Sequence, residues 1–140
     1  MRWAKITLLL VILLACFSMT NTSLPAEESV SIRTVLSNAE SYNLRQITLR
    51  GKAREVKHVS PYVSPKGPVQ HPCTFVLDDG TASIDVHVFI GCPVSELETA
   101  ATKERTVEIS ALMHSNVENE KASRAPYAEA TAVRILSSLP

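Results

Sequence analysis

The sequence predicts a mainly β protein, and three observations carry that prediction. Residues 73–89, CTFVLDDGTASIDVHVF, read as two strands around an Asp79-Gly80 turn. Phe75 and Leu77 alternate with Thr74, Val76 and Asp78, and Ala82, Ile84, Val86 and Val88 alternate with Ser83, Asp85 and His87. A period of two marks a half-buried sheet, and Asp-Gly between two such runs is a strong hairpin signal. Residues 47–54 alternate in the same way, with Ile47, Leu49, Gly51 and Ala53 on one face and Thr48, Arg50, Lys52 and Arg54 on the other. Residues 106–113 alternate through Val107, Ile109, Ala111 and Met113, and residues 127–136 make a last strand with Thr131, Val133 and Ile135 facing inward.

Taken in order, the chain starts with Arg2 and Lys5 and runs into the apolar stretch ITLLLVILLACF. That stretch is too short for a membrane-spanning helix, which needs ~20 residues, and it reads as a secretory signal over residues 1–17. Two cleavage routes fit. Leu13-Leu14-Ala15-Cys16 resembles a bacterial lipobox, which would put a lipid on Cys16, whereas ordinary cleavage after Ser18 would discard that cysteine. On the first route the protein is an exported lipoprotein, periplasmic or associated with the outer membrane, and the polar residues 18–29 are its tether. Residues 30–140 then form one domain, a length that suits a single core. The full chain has 14 basic and 14 acidic side chains, and loss of Arg2 and Lys5 leaves a net charge of −2. No global basic field is present to attract nucleic acid.

Ser31 is placed to cap a short helix whose Ile32, Val35, Leu36 and Ala39 share a face and which stops by Tyr42-Asn43. Gly51 inside the first strand signals a bend, and the alternation slips near Glu55-Val56, so that strand should coil sharply. Residues 60–72, SPYVSPKGPVQHP, hold four prolines and a glycine. They exclude a helix or a central strand and predict a stiff exposed loop, a usual location for binding residues. Gly91-Cys92-Pro93 ends the second hairpin strand. Residues 95–105 predict a helix with Ser95 as N-cap and Glu98 completing a capping box, and residues 114–126 form a polar loop.

The resulting order is three strands, a helix and two strands, with a further helix in front. LRQITLRGKAREV at 44–56, followed by residues 74–88, is similar to the first three strands of OB-fold domains of the tRNA-anticodon and single-strand-DNA-binding type, and the resemblance covers about residues 30–137. It implies a five-stranded OB-like Greek-key barrel with a short N-terminal helix and a helix between strands three and four. A fold of this kind does not fix a function.

The resemblance also implies a ligand platform on strands one to three, where Arg50, Lys52, Arg54 and Lys57 form a cationic row. Single-stranded nucleic acid needs such a row together with aromatic side chains on which bases stack. The outward hairpin positions are Thr74, Val76, Ser83, Asp85 and His87, with Phe89 at the far end, so no stacking pair is expected and Asp85 repels phosphate. The row reads instead as a solvated face partly paired with Asp85, or as a contact for a protein, a glycan or an anionic surface. Tyr62, Lys66, His71 and His87 are the further contact candidates.

Cys73 and Cys92 flank the hairpin. If Asp78 opposes Thr81, Cys73 lies opposite Val86, and the chain must fold back at Gly91 to bring the two cysteines together. A disulfide, two buried thiols and a redox or metal role all fit that placement. His71, Cys73, His87 and Cys92 do not follow a zinc-site spacing, and no metal or cofactor is expected. His58 and His114 read as surface residues, and Asp78 and Asp79 as turn formers. No nucleophile and base stand at a suggestive spacing. The expectation is a non-enzymatic extracytoplasmic binding or scaffolding domain of unidentified ligand, with a nucleic-acid-binding module as the alternative.

Overall fold

A computed structural model describes residues 28–63, 67–115, 118–119, 122–123 and 125–137. The signal, Cys16, most of the tether and Lys66 lie outside the described residues. Nine strands and three helices appear among those described. They are α1 (Ile32–Ser37), α2 (Ala39–Tyr42), β1 (Gln46–His58), β2 (Tyr62–Val63), β3 (Val69–Gln70), β4 (Cys73–Asp78), β5 (Ser83–Val88), α3 (Val94–Thr102), β6 (Thr106–His114), β7 (Glu118–Asn119), β8 (Ala122–Ser123) and β9 (Tyr127–Ile135). Five strands close a barrel in the order β1-β4-β5-β9-β6, with α3 between its third and fourth strands in sequence. All neighbours are antiparallel except β5 and β9.

The alternating residues of the two central strands build the core: Phe75, Leu77, Ile84, Val86 and Val88 are buried, together with Leu49, Val107, Ile109 and Met113. α1 adds Ile32 and Val35, and α3 adds Leu97 and Ala100. The long β1 makes closure possible by changing partner along its length. Gln46 through Lys52 pair with β6 and Lys52 through His58 with β4, and the register shifts between Arg54 and Lys57 where Glu55 takes φ 49°. The slip expected from the sequence is present.

Several local expectations are corrected. The hairpin connection spans residues 79–82, so Asp78 faces Ser83 rather than Thr81 and Cys73 faces Val88 rather than Val86. A shift of two residues leaves every side chain on its expected face. The N-terminal helix is split at Asn38, whose side chain donates to Thr34 O at 3.1 Å; Ser31 Oγ does accept from Thr34 N, at 3.2 Å. Thr48 is buried rather than outward, because the segment entering α1 crosses it and Val30 N donates to its carbonyl. The described residues between 60 and 71 are mostly exposed, as expected, and within them β2 and β3 pair as a small ribbon outside the barrel. A second ribbon, β7 with β8, occupies part of the polar loop after β6.

α3 begins at Val94 with Pro93 at its N-cap. Ser95 Oγ donates to Glu96 at 3.0 Å, so the capping box with Glu98 does not form. Its end is a Schellman turn in which Glu104 N donates to Ala101 O, Arg105 N donates to Ala100 O, and Glu104 takes φ 49°. On β9 the register shifts beside Ser110 and Ala111, which face Ala132 and Ala130. Thr131 is the extra residue. It points outward and donates its hydroxyl to Ser110 O at 3.0 Å, while Ala128 and Ala130 fill the inward positions before the shift and Val133 and Ile135 pack inward after it.

Candidate functional site

Arg50, Lys52 and Arg54 face outward as the alternation requires and Lys57 joins them beyond the register shift, yet each of the four meets a carboxylate. Arg50 pairs with Glu108, its direct partner on β6, and Arg134 of β9 binds the same carboxylate. Lys52 reaches Glu104 at 3.1 Å, Arg54 reaches Asp78 at 3.3 Å and Lys57 reaches Glu55 at 3.2 Å. Asp85, the expected partner, takes no part in these pairs. Glu108 is the most enclosed member, with 12% of its side chain exposed. Burial works against its ionisation, and the guanidinium groups of Arg50 and Arg134 overcome this and hold its carboxyl below the usual carboxylate range. Exposed pairs of this kind add at most ~1 kcal/mol each to stability. A phosphate approaching this row would have to compete with carboxylates already in place. Arg50, Lys52 and Arg54 line a shallow depression with Asp78, Asp79 and Thr106, so its wall is of mixed charge.

Asp78 and Asp79 do form the turn. Asp78 Oδ1 accepts from Gly80 N at 2.8 Å, and Gly80 takes φ 82°. Asp79 does more than sequence patterning indicates. Its Oδ1 accepts from Thr81 N at 2.8 Å, the Thr81 hydroxyl at 2.6 Å and Ala82 N at 3.1 Å, while Oδ2 accepts from Ile32 N at 2.7 Å, pinning α1 to the hairpin. Arg33 completes the clamp through two guanidinium bonds to Thr81 O, at 3.0 and 2.7 Å. Desolvation opposes ionisation of Asp79, but these hydrogen bonds prevail and lower its pKa from 3.8 to about 2.

Asp79→Ala is therefore expected to lower stability by about 2 kcal/mol at neutral pH. Because the folded pKa lies below the unfolded one, the carboxylate's contribution is complete above pH 3.8 and fades as pH falls towards about 2. Urea unfolding at neutral pH and in that acid window checks this. Identical midpoints for wild type and variant at neutral pH would show that Asp79 does not hold α1.

The outer surface of the barrel also carries aromatic character that strand alternation does not reveal. On the outward face of β5, β9 and β6, the rings of His87 and Tyr127 lie 4.7 Å apart, those of Tyr127 and His114 stack at 4.6 Å and 6°, and Phe89 lies 6.1 Å from His87. His114 Nε2 is 2.9 Å from Glu129 Oε2. This corrects both the expected lack of stacking and the reading of His114 as a plain surface residue. The β5–β9 and β6–β9 pairings, which place Asp85 and His114 opposite Tyr127, create the row of rings. A groove of ≈ 290 Å³ adjoins it, lined by Glu55, Lys57, Thr74, Phe75, Val76, Asp85 and His87.

The disulfide joins Cys73 and Cys92 at a Cα separation of 5.9 Å, and Gly91 takes φ 65° where the chain folds back. His71 is exposed, and among the described residues no three His, Cys, Asp or Glu side chains converge as metal ligands. Tyr62 lies exposed on the β2–β3 ribbon with Val63 and Val69, and the ribbon springs from the barrel end that also carries exposed Phe89 and Ile90. His58 lies 3.9 Å from Glu98 of α3.

A closed five-stranded barrel with this strand order and with a helix between its third and fourth strands is an OB-fold. The chain is similar to an aspartyl-tRNA synthetase from Entamoeba histolytica, with TM-score 0.53 and 15% identity over 84% of this chain and 23% of that one. It is similar as well to a protein assigned as an aspartyl-tRNA synthetase from Leishmania major Friedlin, with TM-score 0.52 and 14% identity over 84% and 22%. The second OB-fold domain of replication protein A from Methanococcus maripaludis aligns with TM-score 0.46 and 14% identity over 70% of this chain and 91% of that domain. This chain spans less than a quarter of either synthetase, and the likeness establishes the fold alone. No family model and no curated protein matches the sequence.

Proposed function

We propose that this protein is a non-enzymatic binding module that works outside the cytoplasm, exported by residues 1–17 and tethered through a lipid on Cys16. Its contact surface is the outer face of β4 and β5 with the adjoining row of rings, flanked by the β2–β3 ribbon. The carrying observation is a contrast within the outer surface of the barrel. The cations of β1 are each matched by a carboxylate, while the β5–β9–β6 face offers rings beside an open groove. OB-folds characteristically bind through this strand face and its flanking loops. The signal-like start and the lipobox-like Leu13-Leu14-Ala15-Cys16 support export and tethering.

Titration with single-stranded oligodeoxythymidylate at low salt tests this reading against the nucleic-acid alternative. No saturable binding is expected. A steeply salt-dependent isotherm, weakened by both Arg50→Ala and Lys52→Ala, would establish a nucleic-acid module instead, because each lost phosphate contact lowers the slope by ~0.7. Mass spectrometry of the mature N-terminus checks the lipid; an unmodified start beyond Cys16 would overturn the tether.

A further inference from the structure

We infer that the groove beside the rings is a docking site for an arginine side chain of a basic peptide segment, an inference that rests on the contact face proposed above. The argument starts from charge. Of the groove's two carboxylates, Glu55 is held by Lys57 at 3.2 Å, whereas Asp85 enters no ion pair or side-chain hydrogen bond among the described residues. Asp85 stands in register with Tyr127 on β9, so an exposed carboxylate adjoins the row of rings. Glu129 adds a second carboxylate across the row, beside His114.

The ring faces of Phe89 and Tyr127 carry negative electrostatic potential, and the nearby Asp85 carboxylate adds to a local field that favours a cation. Guanidinium fits both parts, because its plane stacks on a ring while its fork donates to a carboxylate. Phosphate or sulfate entering the groove would meet Asp85, while Lys57 is already held by Glu55. Size points the same way. At ≈ 290 Å³ the groove lies at the bottom of the ~300–1,000 Å³ range of small-molecule pockets and suits one side-chain head. Exposed Phe89 and Ile90, at the same barrel end as the β2–β3 ribbon, provide apolar contacts for residues flanking that arginine. A peptide therefore matches the surface better than an isolated small cation.

The test uses the mature protein and a fluorescein-labelled peptide in which two arginines flank a leucine. Its counterpart has citrulline in place of each arginine, keeping the shape and removing the charge. Saturable binding of the arginine peptide is expected, at least tenfold weaker for the citrulline peptide. Two exposed changes, Asp85→Asn and Phe89→Ala, should each weaken binding severalfold while leaving circular dichroism and the unfolding midpoint unchanged. Equal binding of the two peptides, indifference to Asp85→Asn, or no binding of either peptide overturns the inference. A neutral oligosaccharide that binds and is lost in Phe89→Ala would overturn it while leaving the proposed contact face standing. Binding of oligodeoxythymidylate would overturn both.

Discussion

Gly51→Ala should destabilise the fold by on the order of 2–3 kcal/mol, and Gly51→Val by more. A Cβ at residue 51 would lie 2.5 Å from Asp78 O, 2.8 Å from Asp78 C and 3.1 Å from Asp79 N. All three atoms belong to the backbone, so no side chain can swing aside to relieve the clash. The close approach occurs just where β1 changes partner, since Lys52 pairs with both Thr106 of β6 and Asp78 of β4. Relief requires β1 to move away from the hairpin, which strains barrel closure and disturbs the Asp79 clamp that holds α1. Urea denaturation reads the effect as a lower midpoint with little change in slope. A loss below about 0.5 kcal/mol for Gly51→Ala would show that β1 shifts freely at this point.

Gly51 also marks how far the fold could be read in the sequence. A glycine within an alternating strand signals a close approach or bend, and the period-two runs located all five barrel strands, because one face of each is buried in the core and the other is not. What escaped were features decided by partners distant in the chain. The expected partner of the cationic row was Asp85, whereas the register of β1 against β6 delivers Glu108 to Arg50. Strand alternation gives faces without giving register, and it cannot identify that carboxylate. The ring row was hidden for the same reason. Tyr127 and His87 are far apart in sequence, and a parallel β5–β9 pairing brings them together. Local punctuation failed where another residue stands in a conformation that glycine usually takes. Glu104 ends α3 at positive φ, and the helix therefore read as continuing to Arg105. The Thr131 shift left no signal, since Ala128, Ala130 and Ala132 can sit on either face of a strand.

Removal of the Cys73–Cys92 bond, by Cys73→Ala with Cys92→Ala or by reduction, should lower stability by about 3 kcal/mol and Tm by about 10–15 °C. The bond links residues 19 apart in sequence, and much of its contribution comes from restricting the unfolded chain. Its folded-state role is local. β5 ends at Val88, opposite Cys73, and the chain passes through exposed Phe89 and Ile90 before Gly91 turns it back to Cys92. The bond therefore fixes both ends of the segment that carries Phe89, the outermost ring of the row. Loss of the bond should weaken the arginine peptide through Phe89 mobility even at temperatures where the barrel remains folded, whereas Asp85→Asn weakens it without changing Tm. Thermal melts with and without reductant separate the two effects. An unchanged Tm in wild-type protein whose reduction is verified by thiol alkylation would show that the barrel and the Asp79 clamp hold the hairpin without the covalent link.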